Sequence, residues 1–230
     1  MTKYFPFYFI AFILSYLIMT SGLHGDDYTV VNSFNGYSFW NFIGLTPDEV
    51  GSLILNPVSF YGLWWAYAVL GNEYQIIYDL IKILSSVISV YLIFRFFSDY
   101  MSYDRAIIAS FIFVLYPLHD TTLYWYMTLQ YILAPAILLY AHHLIRNNKI
   151  RKGFLVTIVG SFLSYASPPY LFGLTVIFLY EKKLKKAIVF ATPGILYVAY
   201  YFWMKFNYAG LERRINSDLS ILDFLKQMLI

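Results

Sequence analysis

Cysteine is missing from all 230 residues. That removes disulfides, thiolate metal ligands and a cysteine nucleophile together. Charge is scarce as well. Asp, Glu, Lys and Arg make up 13% of the chain, about half the ~25% of an ordinary soluble domain. With 60% hydrophobic residues and apolar runs approaching about 20 residues, the composition reads as a polytopic membrane protein. A third absence is local: from Gly22 to Glu73 there is no Lys or Arg, although Asp26, Asp27, Asp48, Glu49 and Glu73 all fall there. The net charge of +3 is spread unevenly. It reports topology and says nothing of nucleic acid.

What is present is apolar and aromatic. Aromatics reach 22%, enough for interfacial belts and for a groove. Seven hydrophobic segments stand out: Tyr4–Thr20, Tyr74–Phe97, Ala106–Leu118, Thr122–Ile145, Phe154–Ala166, Tyr170–Tyr180 and Ala187–Met204. The first has no convincing cleavage site after it and reads as a retained helix. The connections Arg95–Arg105, Arg146–Lys152 and Glu181–Lys186 are basic. The positive-inside rule places them in the cytoplasm with the N-terminus, and the Gly22–Glu73 loop outside. The expected fold is an all-α transmembrane bundle of about seven segments. Residues 1–206 form the membrane module, 22–73 an extracytoplasmic loop carrying interface helices, and 207–230 an extracytoplasmic amphipathic segment.

Segments three, five and six are short for a hydrocarbon core about 30 Å thick. Their outer ends, around His119-Asp120 and Ser167-Pro168-Pro169, are expected to sink into a recess opening outward, where irregular backbone is covered. Within the long loop, Thr46-Pro47-Asp48-Glu49 reads as a capped helix start. Asn35-Gly36 reads as a turn, and Val58–Leu70 as an interface helix.

The candidate chemistry is acidic. Asp26 and Asp27, in Gly25-Asp26-Asp27-Tyr28, sit just after the first helix. Adjacent carboxylates point apart on a helix, so one can act as a general base while the other orients the loop, a metal or a sugar hydroxyl. The plainer reading is a solvated, helix-ending pair. His119-Asp120 opens the fourth segment. Asp120 can cap it or face Asp26 and Asp27, and His24, His119 and these Asp residues could share a divalent cation. Trp125 and Tyr131 suit an interfacial belt, whereas Gln130 in apolar sequence faces protein or a ligand. Asp79 and Lys82 pair along one helix face, or Lys82 holds a lipid phosphate. Arg213 and Arg214 are the other phosphate candidates. His142-His143 reads as interfacial and not as ligands.

These features together resemble the GT-C superfamily of membrane glycosyltransferases, in particular the protein O-mannosyltransferases and the bacterial lipid A aminoarabinose transferases. The parts that carry the likeness are the first helix with Gly25-Asp26-Asp27, the long outer loop, the Leu80–Arg95 helix, a basic turn, Ala106–Pro117, Asp120 and the Tyr131-Ile-Leu-Ala134 helix. The resemblance implies transfer of a sugar, with inversion, from a polyprenyl-phosphate carrier to a glycan, lipid or protein acceptor outside the cytoplasm of a bacterial inner membrane. It implies that Asp26 or Asp27 is the base, that Asp120 shapes the acceptor or metal site, and that cationic groups hold the carrier phosphate. Family members usually have more helices and an outer C-terminal domain, which implies a truncated or minimal member here. Asp27 stands where Glu is often found. The competing expectation is a non-enzymatic membrane protein: a lipid-linked-sugar flippase, a small transporter or an accessory subunit.

Overall fold

The computed structural model describes residues 4–116 and 120–208, with the backbone only for Asp120 and Thr121. Helices account for all the regular structure among the described residues. The chain opens with α1 (Phe5–Ile18), and five short helices follow: α2 (Asp26–Phe34), α3 (Phe39–Ile43), α4 (Pro47–Val50), α5 (Pro57–Ser59) and α6 (Trp65–Leu70). Seven more complete it: α7 (Gln75–Phe97), α8 (Tyr103–Leu115), α9 (Asp120–Tyr124), α10 (Gln130–Arg146), α11 (Ile150–Leu163), α12 (Ser167–Tyr180) and α13 (Leu184–Asn207).

The surface of α7 explains the architecture. Its buried face carries Asp79, Lys82, Ser85, Ser86 and Ser89, while Leu80, Leu84, Ile88 and Tyr91 point outward and are exposed. A helix with its polar face inside and its apolar face outside is stable only where the surroundings are apolar. On α1, Tyr8, Phe12 and Tyr16 form a similar exposed stripe at i, i+4 spacing. α7 packs against α1, α8 and α10; α11 packs against α10 and α13, and α12 lies on α13. Small residues allow the close approaches. A Cβ on Gly160 would meet Leu138 at 2.8 Å, and one on Gly194 would meet Leu171 at 2.7 Å.

Each of the seven hydrophobic segments contains a helix, but seven spans is more than the lengths support. Among the described residues three stretches are long and apolar enough to cross a membrane: Gln75–Phe97, Met127–Arg146 and Leu184–Asn207. Pro47–Leu55 and Pro57–Leu70 pass the same test only as a pair, and they are bent by 112° at the break. α1, α11 and α12 have 14 residues each and α8 has 13, about 20 Å at 1.5 Å per residue.

The Gly22–Glu73 loop is helical and folded. Thr46 and Glu49 form the expected reciprocal cap, with both the amide and the hydroxyl of Thr46 donating to the Glu49 carboxylate at 2.7 Å. The turn at Asn35-Gly36 is present, with Gly36 at φ 86°. The Val58–Leu70 stretch differs from an interface helix. It begins at Pro57, widens through a π turn at Phe60–Trp64, and buries Phe60, Trp64, Ala66 and Tyr67 in the core. Hydrogen bonds fasten the loop to one end of the bundle: Tyr197 and Tyr200 donate their hydroxyls to the carbonyls of Leu55 and Ile54, each at 2.7 Å. The described basic connections gather at the other end. His142 and His143 are there as well, and both are buried instead of interfacial. His142 stacks on Phe178, with ring centroids 4.0 Å apart.

Candidate functional site

Two left-handed glycines shape the turn between α1 and α2. Gly22 has φ 61° and Gly25 has φ 49°, conformations that cost a side-chain-bearing residue energy. A Cβ on Gly25 would also lie 2.8 Å from the ring of Trp125, so that indole is packed directly onto the turn. The backbone of the turn is held by two buried carboxylates. Asp79 accepts from the amides of Thr20 and Gly22, each at 2.8 Å, and from the Ser21 hydroxyl at 3.1 Å. Lys82 pairs with Asp79 at 2.9 Å and donates to Ser21 Oγ and to the carbonyls of Gly22 and Tyr124. Such a pair is tolerable in the interior because every charge has partners.

Asp27 is the second knot. It is fully buried, and each of its oxygens accepts two hydrogen bonds. Oδ1 takes the Tyr67 hydroxyl at 2.6 Å and the Met127 amide at 2.8 Å. Oδ2 takes the amides of His24 and Tyr126, both at 3.0 Å. A carboxylate offers about four lone-pair sites, so all of them are used. Asp27 thereby caps the turn that leads into α10 and ties it to the start of α2 and to α6. The expected role of Asp27 as a proton acceptor gives way to that of a fastener. Asp26, one residue earlier, is exposed in the first turn of α2, and its carboxylate makes no hydrogen bond among the described residues; its charge there complements the helix dipole.

Beyond the Asp27 knot lies a cleft at the same end of the bundle. Its floor is Met127 in the turn before α10 with Gln130 and Tyr131 at the start of that helix; one wall is the turn from Ser52 to Asn56, and the other is Tyr201 and Lys205 at the end of α13. It encloses about 560 Å³, part of it open to solvent. Gln130 is 2% exposed, and its buried Oε1 has no hydrogen-bond partner among the described residues. A buried acceptor without a donor costs about 1–3 kcal/mol, which a ligand hydroxyl or amide would recover. Tyr131 and Tyr165 join their hydroxyls at 2.8 Å across the mouth. Asn56 accepts the Tyr165 amide at 2.8 Å, which fixes that wall. Half-buried Lys205 brings one positive charge to the rim, 6.0 Å from the centroid of the Tyr201 ring.

The structure brings Gln130 and Tyr131 into the cleft and leaves other expected residues out of it. Lys82 spends its ammonium on Asp79 and three protein oxygens, so the phosphate role does not fit it. His24 contributes its backbone amide to Asp27; its Nδ1 is buried without a partner among the described residues, and its ring lies 6.4 Å from that of Tyr124. Trp125 lies on Gly25. Asp120 is the first residue of α9, and its side chain lies outside the described part, as do His119, Arg213 and Arg214. Among the described residues no three His, Asp or Glu side chains come together as a metal would require. Lys205, Tyr165, Tyr201 and Asn56 were missed from the sequence. Tyr201 and Lys205 share a helix face at i, i+4, the one signal that was there to be read.

No family model matches this chain, and neither a curated protein nor a solved structure is similar to it at a meaningful level.

Proposed function

We propose that this protein is a membrane glycosyltransferase that moves a sugar from a polyprenyl-phosphate carrier to an acceptor outside the cytoplasm, with inversion, and that the cleft over Gln130 receives the sugar phosphate. The observation that carries the reading is the buried, unpaired Oε1 of Gln130 in the floor of an aromatic-lined cleft with a cation on its rim. Sugars offer hydroxyl donors and apolar ring faces, which suit an amide oxygen and tyrosine rings. A carrier phosphate suits Lys205 as a point charge. Asp26 is the acid suited to be the base on the acceptor hydroxyl, because its neighbour Asp27 has no lone pair left. Asp27 contributes by ordering the segment that forms the cleft floor, since Met127 both lines the cleft and donates to it. The membrane module with about seven segments is part of the same proposal, its shorter helices entering the bilayer from one side.

The test is transfer from a radiolabelled polyprenyl-phosphate sugar by membranes carrying the full chain. Transfer is expected for the parent protein, with loss in Asp26→Asn at unchanged thermal stability and a marked fall in Gln130→Leu. Folded protein that transfers to no acceptor, or an Asp26→Asn variant of full activity, would overturn the reading. The saturation of Asp27 favours a second reading, in which the same cleft binds a lipid-linked sugar without chemistry, as in a flippase or an accessory subunit. Retained binding with no transfer in any variant would select it.

A further inference from the structure

The opposite, basic end of the bundle has a groove between α1, α7 and α8, and it is independent of the sugar reading. Phe7, Tyr91, Phe94 and Tyr103 line it, with Arg95 and Ser98 at its end; it encloses about 910 Å³, much of it open to the surroundings. The rings pack edge to face: Phe7 is 5.4 Å from Phe94 and 6.0 Å from Tyr91, and Phe94 is 5.4 Å from Tyr103. Arg95 is fixed from behind. Its guanidinium donates to His143 Nε2 at 3.2 Å and reaches Tyr91 Oη at 3.4 Å. His143 in turn holds Asp99 through Nδ1 at 2.8 Å. A proton on Nδ1 facing the carboxylate leaves Nε2 as the acceptor that Arg95 needs. The relay therefore orients the guanidinium without neutralising it. Among the described residues no carboxylate lies within ion-pairing distance of Arg95, in contrast to Arg146, which pairs with Glu181, and Lys183, which does so at 2.8 Å.

A half-buried guanidinium with three N–H donors to spare, facing an aromatic groove between apolar helices, is short of one anion. We infer that this groove binds an anionic phospholipid, its phosphodiester on Arg95 and its glycerol and first acyl carbons against Phe7 and Phe94. Planar guanidinium N–H groups match phosphate oxygens, and basic pockets between membrane helices at a cytoplasmic face are suited to acidic headgroups.

Native mass spectrometry of the full chain in detergent tests this, with phosphatidylglycerol and phosphatidylcholine titrated separately. Phosphatidylglycerol should bind roughly fivefold tighter, what one cation near an anionic lipid surface is worth. Arg95→Gln should abolish the preference, Arg95→Lys should keep part of it, and Arg105→Gln, at an exposed position of the same end, should leave it whole. Ser98→Trp fills the groove beside Arg95 while leaving the guanidinium charge in place and should remove the preference too, so the question is decided even if Arg95→Gln fails to fold. Inorganic phosphate at the same concentration should not compete. Equal affinity for the two lipids, a preference that survives Ser98→Trp or Arg95→Gln, or full competition by inorganic phosphate would overturn the inference.

Discussion

Substituting Asn for Asp27 separates a fastener from a base, because the two roles predict different losses. Asn keeps one acceptor oxygen and must aim its Nδ2 at one of two donor pairs. If Nδ2 replaces Oδ2, the amides of His24 and Tyr126 both lose their acceptor. If it replaces Oδ1, the Tyr67 hydroxyl can rotate and accept, and the Met127 amide alone is stranded. The second choice is cheaper. One orphaned buried donor costs about 1–3 kcal/mol, and turning the other bonds from charged to neutral costs roughly 1–2 kcal/mol more. The sum, about 2–5 kcal/mol, is a large part of a typical 5–15 kcal/mol stability. Thermal unfolding of the full chain in detergent should show a fall of roughly 5–15 °C. Asp27→Ala strands all four donors and should give little folded protein. Asp26→Asn, at an exposed carboxylate, should unfold within about 2 °C of the parent, in line with the small effect of surface changes. An Asp27→Asn protein as stable as the parent, or an Asp26→Asn protein as damaged as Asp27→Asn, would refute the assignment.

Four further outcomes follow from the same geometry. Lys82→Met and Asp79→Asn should each cost about 3–5 kcal/mol in thermal unfolding, since each strands a buried charge or its donors; the double variant should be less damaged than the sum, and strict additivity would count against the pair. Gly25→Ala should lower stability by about 1–3 kcal/mol, because φ 49° and a 2.8 Å approach to Trp125 both resist a Cβ. Gln130→Leu should leave the unfolding temperature unchanged or raise it while weakening sugar binding, because it removes an unpaired buried acceptor; a destabilised variant would mean that Gln130 has an internal partner. At the basic end, the Lys183 ammonium, joined by Arg146, holds the Glu181 carboxyl below its ordinary value of 4.5. A depressed carboxyl contributes stability above 4.5 that is lost as pH falls through the lower folded value. Glu181→Gln should therefore flatten the acid limb of the stability profile, and an unchanged limb would refute the coupling.

Much of the plan was legible because it depends on short-range chemistry. Apolar runs set the helices, the Thr46–Glu49 cap lies within three residues, and Asp79–Lys82 pair within one turn of α7. The stretch without cations between Gly22 and Glu73 is also the one that folds onto a single end of the bundle. Gln130 stood out because an amide in an apolar run needs a reason to be there. Asp27 could not be resolved this way, since two of its four donors are Tyr126 and Met127, 99 and 100 residues away. Nor could the burial of His142, which stacks on Phe178 in another helix, or of His143, which meets Asp99 and Arg95.

The amino-acid order by itself determined that this is an all-helical chain suited to an apolar medium, with an acidic turn after its first helix and basic turns at the opposite end. Only the tertiary structure decided which of the adjacent carboxylates is spent on the fold and which faces outward, and which helices are long enough to span. Helix formation and charge segregation are written in local periodicity and composition. Hydrogen-bond saturation depends on donors brought together from distant parts of the chain, and no spacing in a single sequence encodes where those donors will point.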